Sequence, residues 1–169
     1  MKLPEKYIIV VITLSDRAFK GEYADLSGPR VKELASEFFS SQNAVYFVKN
    51  VLIPDDAGLL KEEIIKASKV SDVIFTTGGT GIGPRDITVE TVRPLLTKEI
   101  PGIMEFIRVK YGAEKPNALL SCGVAGLIGG CLVYTLPGSV KAVNEYMAEI
   151  VKTLEHTFLM LYGIDKHKG

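Results

Sequence analysis

Residues 71–88 of the chain read SDVIFTTGGTGIGPRDIT, which predicts a short buried strand, a glycine-rich turn and the start of a helix. Glycine lacks a Cβ, so its backbone can adopt positive φ and come close to a ligand. The four glycines between positions 78 and 83 can therefore direct several N–H groups into one concavity, which suits an anion such as phosphate. The alternative is a turn that only needs flexible residues. The charged pair Arg85-Asp86 that follows favours a functional loop.

Two familiar phosphate-binding loops are excluded by the spacing of these residues. A Walker loop ends in Gly-Lys-Ser/Thr, whereas this loop ends in Gly83-Pro84-Arg85 and contains no lysine. A dinucleotide-binding fingerprint needs a third glycine three positions after Gly81, and Pro84 stands there instead. The loop is therefore neither a P-loop nor a Rossmann turn.

The composition is that of a globular protein. Hydrophobic residues make up 47% of the 169 residues and charged residues 24%, and no linker or repeat divides the chain, so we expect one domain over residues 1–169. Twenty basic and twenty acidic residues give no net charge. Nothing in this balance favours nucleic acid or an anionic membrane surface over a small ligand as partner.

The apolar run Tyr7–Leu14 is too short to span a membrane and ends without a cleavage-type sequence, so we interpret it as a strand in a cytoplasmic protein. Cys122 and Cys131 have no metal-binding spacing and are expected to be reduced thiols. The histidines are His156, off the apolar face of a predicted helix, and His167 near the end of the sequence. Histidine-based triads and zinc sites are therefore not expected.

Strand and helix patterns alternate along the chain. The predicted strands are Tyr7–Leu14, Ala44–Ile53, Val73–Thr77 and Cys131–Leu136. The predicted helices begin near Ser27-Gly28-Pro29, Pro54-Asp55-Asp56, Thr88, Pro101-Gly102 and Val140. This alternation predicts a three-layer α/β/α sandwich with a mainly parallel central sheet. The segment 123–130 is expected to be a small-residue connection.

The same patterns predict caps and buried faces. Ser27 and Thr88 are expected to cap their helices, as is one of the two residues Asp55 and Asp56. Hydrophobic residues at helical spacing are expected to face the core, including Leu59, Phe106 and Val140.

Polar residues follow the predicted strands where a ligand would bind. In open α/β sheets ligands collect at the carboxyl ends of the strands. Ser15-Asp16-Arg17 follows the first strand, and one of the aspartates after the second strand is left over once the helix cap is assigned. Asp16 capping a turn is the alternative interpretation.

Three segments together resemble one family. They are residues 15–29, which contain SDR, GEY and SGP; residues 76–88, which read TTGGTGIGPRDIT; and residues 136–139, which read LPGS. They resemble the molybdopterin adenylyltransferase family of molybdenum cofactor biosynthesis over nearly the whole chain. The resemblance implies an enzyme that adenylylates molybdopterin with Mg-ATP and releases pyrophosphate. It also implies a homotrimer and contact with the molybdate-insertion enzyme.

The resemblance assigns roles to particular residues. Asp55 and Asp86 are implied as catalytic carboxylates that hold Mg²⁺ through the bound nucleotide. The implied substrate- and nucleotide-binding residues are Ser15, Asp16, Thr77, Gly78, Gly79, Thr80, Gly81, Arg85, Ser121, Pro137, Gly138 and Ser139. Adenylyl transfer needs charge neutralisation and alignment more than a strong base, because the attacking phosphate is already anionic. The lack of a suitable histidine is therefore compatible with this chemistry.

The chain departs from the family pattern at several positions. Cys122 stands where many members carry arginine, Ile128-Gly129-Gly130 replaces an Arg-Gly-Lys-like turn, Val140 replaces proline and Thr135 replaces asparagine. If the positions of the missing cations face the site, the alternative function is an inactive or weakly active molybdopterin-binding scaffold. A molybdate-inserting relative ranks last, because this sequence lacks the additional domains that such proteins usually carry.

Overall fold

The computed structural model describes residues 2–164, which form a six-stranded sheet. The strands are β1 (Lys6–Leu14), β2 (Val45–Ile53), β3 (Val73–Thr77), β4 (Lys98–Glu99), β5 (Ala125–Ile128) and β6 (Cys131–Leu136). Their order in the sheet is β2-β1-β3-β6-β5-β4. The neighbours from β2 to β6 are parallel, whereas β5 pairs antiparallel with both β6 and β4. The predicted mainly parallel sheet is confirmed.

Within residues 2–164, six helices accompany the strands. They are α1 (Asp16–Phe19), α2 (Ser27–Ser41), α3 (Ala57–Ser68), α4 (Thr88–Val92), α5 (Pro101–Gly112) and α6 (Val140–Leu161). Short 3₁₀ turns cover Arg93–Leu95 and Pro116–Leu120. Pro94 lies in the first of these turns, in agreement with the prediction that it shortens the preceding helix.

Alternate residues of β1 divide the core into two layers. Ile9 and Val11 point to the face covered by α2, α5 and α6, whereas Val10 and Ile12 point to the face covered by α3 and α4. Because strand side chains alternate between the two faces, a strand covered on both sides must be apolar throughout. The predicted three-layer sandwich is confirmed.

The antiparallel edge of the sheet was not predicted. Residues 123–130, expected to be a connection, contain β5 and the tight turn at Gly129-Gly130 that leads into β6. The strand was not predicted because its first residues are small. They are small because the backbone of the neighbouring strand β4 lies close to them. A Cβ at Gly126 would clash with the carbonyl oxygen of Lys98 on β4.

Several local predictions were wrong. Ser27 does not cap α2; instead Asp25 Oδ1 accepts the N–H groups of Ser27 and Gly28, at 3.0 and 3.1 Å. Thr88 is a buried residue inside α4 rather than its cap. The side chains of Leu59 and Phe106 are exposed, because each lies on the outer side of its helix.

Of the two aspartates after β2, Asp56 is the N-cap of α3 and accepts the N–H of Leu59 at 2.8 Å. Val140, expected in the core, is exposed at the start of α6. Cys122 and Cys131 are free thiols, as expected. His156 is exposed on α6, and His167 lies outside the described residues. Within residues 2–164, the helices are too short or too polar to cross a bilayer.

Candidate functional site

Two aspartates meet at the carboxyl ends of β1 and β2. The two strands are parallel and end in register at Leu14 and Ile53, so the chain leaves both at the same edge of the sheet. The backbone N–H of Asp55 donates to Asp16 Oδ1 at 3.0 Å, and the N–H of Asp16 donates to Asp55 Oδ2 at 3.2 Å. This exchange fixes both carboxylates at the end of the sheet.

The glycine loop follows the neighbouring strand β3. Gly78 and Gly79 adopt φ of 101° and 66°, a region that side-chain-bearing residues rarely occupy. A Cβ at Gly78 would clash with the carbonyl oxygen of Leu14. The Gly78 N–H donates to Leu136 O at 3.0 Å, and Thr88 Oγ1 donates to Gly78 O at 2.8 Å. The loop is therefore hydrogen bonded to β6 and α4 and lies close against the end of β1.

Asp86 lies against the glycine loop. Its Oδ2 accepts the N–H of Gly83 at 2.8 Å, and its own N–H donates to Gly83 O at 3.0 Å. A Cβ at Gly81 would stand 2.7 Å from Asp86 Oδ2, so only glycine fits beside this carboxylate. The N-cap residue of α4 is Ile87, so Asp86 is not the helix cap.

The three carboxylates of Asp16, Asp55 and Asp86 line one cleft of about 420 Å³, which we call the acidic cleft. Its lining residues are Leu14, Ser15, Asp16, Arg17, Tyr23, Asp55, Gly79, Gly83, Pro84, Arg85 and Asp86. The guanidinium groups of Arg17 and Arg85 balance part of the negative charge. Arg17 lies over the Tyr23 ring at 5.1 Å, and the Tyr23 hydroxyl is hydrogen bonded to Ser15 Oγ at 2.8 Å.

A second cleft of about 400 Å³ opens beside Ser121, and we call it the Ser121 cleft. Its lining residues are Gly81, Ile82, Ile107, Arg108, Tyr111, Lys115, Asn117, Ala118, Leu120, Ser121, Pro137, Ser139, Lys141, Ala142, Glu145 and Tyr146. The glycine loop contributes to both clefts, with Gly79 and Gly83 in the acidic cleft and Gly81 in the Ser121 cleft. The two clefts therefore adjoin across this loop.

Ser121 is held from two helices. The hydroxyl of Tyr146 on α6 donates to Ser121 Oγ at 2.9 Å. Arg108 on α5 donates to the carbonyl oxygens of Ser121 at 3.4 Å and Gly123 at 3.0 Å. Burial raises the pKa of Tyr146 above its ordinary value, so the phenol stays protonated and can donate.

Residues 10–156 match the family described as a probable molybdopterin binding domain. The chain is 39% identical over 156 residues to molybdopterin adenylyltransferase from Pyrococcus furiosus, covering 89% of this chain and 88% of that protein. It superposes on the structure of the molybdopterin biosynthesis enzyme MoaB from Thermus thermophilus with a TM-score of 0.82 and 32% identity, covering 93% of this chain and 97% of that one.

The chain belongs to the molybdopterin-binding family of molybdenum cofactor biosynthesis. A further relative is the molybdenum cofactor synthesis protein cinnamon from Drosophila melanogaster, 36% identical over 148 residues. These residues cover 86% of this chain but 24% of cinnamon, so the chain spans about a quarter of that relative's length.

In this molybdopterin-binding chain the predicted site residues fall into three groups. Six of them line the acidic cleft: Ser15, Asp16, Asp55, Gly79, Arg85 and Asp86. Four line the Ser121 cleft: Gly81, Ser121, Pro137 and Ser139. The remaining four do not line either cleft: Thr77, Gly78, Thr80 and Gly138.

The residues of the third group connect the strand ends. Thr77 Oγ1 donates to Pro137 O at 2.9 Å, and Thr80 O accepts the N–H of Cys122 at 2.8 Å. The N–H groups of Gly78 and Gly83 both donate within the protein, so these two are not among the several glycine N–H groups that were predicted to point toward a ligand.

The structure also adds cleft residues that the sequence motifs missed. Arg108, Lys115, Glu145 and Tyr146 line the Ser121 cleft from α5, α6 and the segment between them. None of the four belongs to a sequence motif. Arg108, Glu145 and Tyr146 lie on helices, and Lys115 lies in the segment after α5. Only the packing of α5 against α6 reveals them.

The positions of the missing family cations are not among the residues that line the two clefts. Ile128 and Gly130 stand at the hairpin before β6, at the end of the sheet opposite the glycine loop. Cys122 follows Ser121 but is outside the residues that line either cleft. The clefts therefore retain cationic lining residues although cations are missing at these positions.

Carboxylate oxygens at strand ends are suitable ligands for Mg²⁺, which usually binds one or two carboxylates together with substrate phosphates. Within residues 2–164, no group of three histidine, cysteine or acidic side chains forms a complete metal site. The carboxylates of Asp16, Asp55 and Asp86 are the oxygen donors that line the acidic cleft.

Proposed function

We propose that this chain is a molybdopterin adenylyltransferase, which transfers AMP from Mg-ATP to the phosphate of molybdopterin. The observation that carries the proposal is the contact of two unlike clefts across the glycine loop at Gly79–Gly83. One cleft is rich in carboxylates, and the other combines hydrophobic walls with cations. A reaction between a metal-bound triphosphate and a phosphorylated heterocycle needs both environments side by side.

The bond changes require little acid–base chemistry from the protein. A phosphate oxygen of molybdopterin attacks the α-phosphorus of ATP, and the bond from that phosphorus to the β-phosphate oxygen breaks. Pyrophosphate leaves with the electron pair of this bond. The nucleophile is already anionic, so the protein contributes alignment and charge stabilisation.

Asp55 and Asp86 are the residues that would hold Mg²⁺ through the bound nucleotide, as the catalytic carboxylates of the family pattern. Bound Mg²⁺ would neutralise triphosphate charge. Asp16 orients Asp55 through the exchanged hydrogen bonds, and Arg85 lines the same cleft and can neutralise phosphate charge. Ser121, Pro137 and Ser139 line the adjoining cleft, where a ring can pack.

The alternative function is a molybdopterin-binding scaffold without turnover. Its main support was the missing arginine at Cys122 and the missing cations near Ile128. The Ser121 cleft nevertheless contains three cationic side chains, Arg108, Lys115 and Lys141, so this support is weak. Assembly as a homotrimer, contact with a molybdate-insertion enzyme and a cytoplasmic location belong to the proposal as well.

The proposal is tested by incubating the purified protein with molybdopterin and ATP, with and without Mg²⁺. We expect adenylylated molybdopterin and an equal amount of pyrophosphate in the reaction that contains Mg²⁺ and neither product when EDTA is present. Binding of both ligands without either product would contradict the enzyme and support the scaffold. Analytical ultracentrifugation of the same sample tests the trimer.

A further inference from the structure

Arg17 brings a guanidinium group to the acidic cleft. Its side chain lines this cleft together with three carboxylates. Asp16 and Asp55 exchange backbone N–H groups, and Asp86 accepts one from the glycine loop. Within residues 2–164, no acidic side chain forms an ion pair with Arg17. The positive charge of Arg17 is therefore available to an anionic ligand.

The ring of Tyr23 fixes the direction of this guanidinium. Arg17 lies over the ring at 5.1 Å from its centre, and the contact of a cation with an aromatic face is attractive. The Tyr23 hydroxyl is hydrogen bonded to Ser15 Oγ at 2.8 Å, and the same oxygen accepts the N–H of Ala18 at 3.2 Å. The stacked pair is therefore tied to the chain that leaves β1.

Asp25 holds the loop that carries Tyr23. Thr13 Oγ1, near the end of β1, donates to Asp25 Oδ2 at 2.7 Å. Asp25 Oδ1 accepts the first two N–H groups of α2 at 3.0 and 3.1 Å. The N–H of Glu22 also donates to Arg17 O at 2.9 Å, which closes the loop on itself. These bonds place Arg17 and Tyr23 at the cleft before a ligand binds.

The order of the strands places Arg17 on the side of the acidic cleft that is remote from the Ser121 cleft. Pro137 and Ser139, which follow β6, line the Ser121 cleft. The glycine loop follows β3, the neighbour of β6, and separates the two clefts. Arg17 follows β1, one strand further from β6. A ligand that crosses the glycine loop from the Ser121 cleft therefore meets Arg17 at its far end.

The chemistry of adenylyl transfer gives this position a meaning. The attacking and leaving oxygens lie roughly in line at the transferred phosphorus. In the proposed function the attacking phosphate comes from the Ser121 cleft, so pyrophosphate leaves in the opposite direction, toward β1. The electron pair of the broken P–O bond departs with the pyrophosphate. A guanidinium can bind two phosphate oxygens at once and stabilise the charge that develops there.

We propose that Arg17, oriented by Tyr23, binds the β- and γ-phosphates of the nucleotide and stabilises the leaving pyrophosphate. The inference rests on the proposed function, because it assigns the leaving group of that reaction to one side of the acidic cleft. Arg17 contacts the substrate, whereas Tyr23 is a positioning residue that acts through Arg17. The pair also makes the cleft select a nucleoside triphosphate over a monophosphate.

Isothermal titration calorimetry in buffer with Mg²⁺ tests the assignment without turnover. ATP and inorganic pyrophosphate carry the groups that Arg17 binds, whereas AMP lacks them. Arg17→Gln removes the charge, and Arg17→Lys keeps a charge without the planar fork of the guanidinium. Lys20→Gln is the matched control, because Lys20 is an exposed cation at the end of α1 that lines neither cleft.

We expect Arg17→Gln to raise the dissociation constants of ATP and pyrophosphate roughly five- to tenfold, the effect of losing one charge-assisted contact. The dissociation constant of AMP should change less than about twofold. Arg17→Lys should have an intermediate effect, and Lys20→Gln should match the wild type. An equal loss of AMP affinity would overturn the assignment to the leaving group. Unchanged affinity for ATP and pyrophosphate in a folded Arg17→Gln protein would overturn the site.

A double-mutant cycle tests the role of Tyr23. The quantity compared is the ratio of the AMP dissociation constant to the ATP dissociation constant. Tyr23→Ala should lower this ratio in the wild type but not in Arg17→Gln, because the tyrosine acts through the arginine. Tyr23→Phe keeps the ring and should retain most of the ratio. Equal effects of Tyr23→Ala in both backgrounds would contradict the positioning role.

Turnover separates this inference from the proposed function. Arg17→Gln should lower kcat for adenylylated molybdopterin roughly 100-fold, with an unchanged dissociation constant of molybdopterin. If the wild type binds pyrophosphate through Arg17 but forms no adenylylated product, the phosphate site is supported and the proposed function fails. If a folded Arg17→Gln protein keeps the wild-type rate and ATP affinity, the proposed function stands and the phosphate site fails.

Discussion

Asp16 and Asp55 each accept the other's backbone N–H, at 3.0 and 3.2 Å, although they are 39 residues apart in sequence. This exchange joins the ends of β1 and β2 and orients Asp55 toward the acidic cleft. We expect Asp16→Ala to lower the free energy of unfolding by about 1 kcal/mol, the usual contribution of one hydrogen bond. Urea denaturation measures it, and a loss of metal-dependent ATP binding should accompany it. Full stability together with unchanged ATP binding would contradict this role.

Gly78→Ala tests the close approach of the glycine loop to β1. A Cβ at this position would clash with the backbone of Leu14, and the residue has φ of 101°. Gly129 is a suitable control, because it has φ of 60° but open space around its Cα. Gly129→Ala should cost roughly 1–2 kcal/mol from its backbone conformation alone. Gly78→Ala should cost clearly more in thermal denaturation, and equal costs would contradict the clash.

Tyr146→Phe should free the hydroxyl of Ser121 without a change in packing. The substitution removes the donor at 2.9 Å from Ser121 Oγ, so we expect a loss of about 1 kcal/mol in stability. Molybdopterin affinity should fall several-fold, because Ser121 loses its fixed orientation. Calorimetry with molybdopterin and with ATP separates this effect from a general one. A fall in ATP affinity alone would show that Tyr146 does not act through the Ser121 cleft.

The buried carboxylate of Glu149 makes stability depend on pH. Its partners are Lys110 at 2.6 Å and Lys152 at 2.8 Å, and the hydrogen bonds from them lower its pKa from 4.5 to about 2. A depressed pKa means that the stabilisation is present above the unfolded pKa and is lost as pH falls from about 4.5 to about 2.

Glu149→Gln should remove this part of the pH dependence and cost roughly 1–3 kcal/mol at neutral pH. Melting curves between pH 2 and 7 measure both effects. Wild-type and variant curves that run parallel below pH 4.5 would contradict the assignment.

The sequence predicted the four parallel strands and the three layers, because continuous hydrophobic runs and hydrophobic residues at helical spacing indicate which residues are buried. The family resemblance implied a joint role for Asp55 and Asp86, and both line one cleft because the carboxyl ends of parallel strands share one edge of the sheet. The sequence missed β5 because Gly126 and Ala125 are small, and the need for a small residue comes from the backbone of β4.

The cations of the Ser121 cleft were the other feature that the sequence did not predict as a group. Arg108, Lys115 and Lys141 come from separate segments, and no spacing along the chain brings them together. Their grouping follows from the packing of α5 against α6. The Tyr146 hydroxyl could not be predicted either, since periodicity shows that a tyrosine is buried but not what its hydroxyl contacts.

The central claim is that the acidic cleft catalyses adenylyl transfer, and the comparison of Asp86→Asn with Asp56→Asn tests it most directly. Asn can still accept the Gly83 N–H, so the loop should keep its shape while the charge is lost. Asp56 is an exposed N-cap on the same edge of the sheet, where Asn serves equally well.

The measurement is the rate of adenylylated molybdopterin formation with saturating Mg-ATP, alongside molybdopterin affinity. We expect Asp56→Asn to match the wild type. Asp86→Asn should lower the rate by roughly 100-fold or more, about 3 kcal/mol in barrier, with molybdopterin affinity changed less than about twofold. A folded Asp86→Asn protein with the wild-type rate would contradict the account.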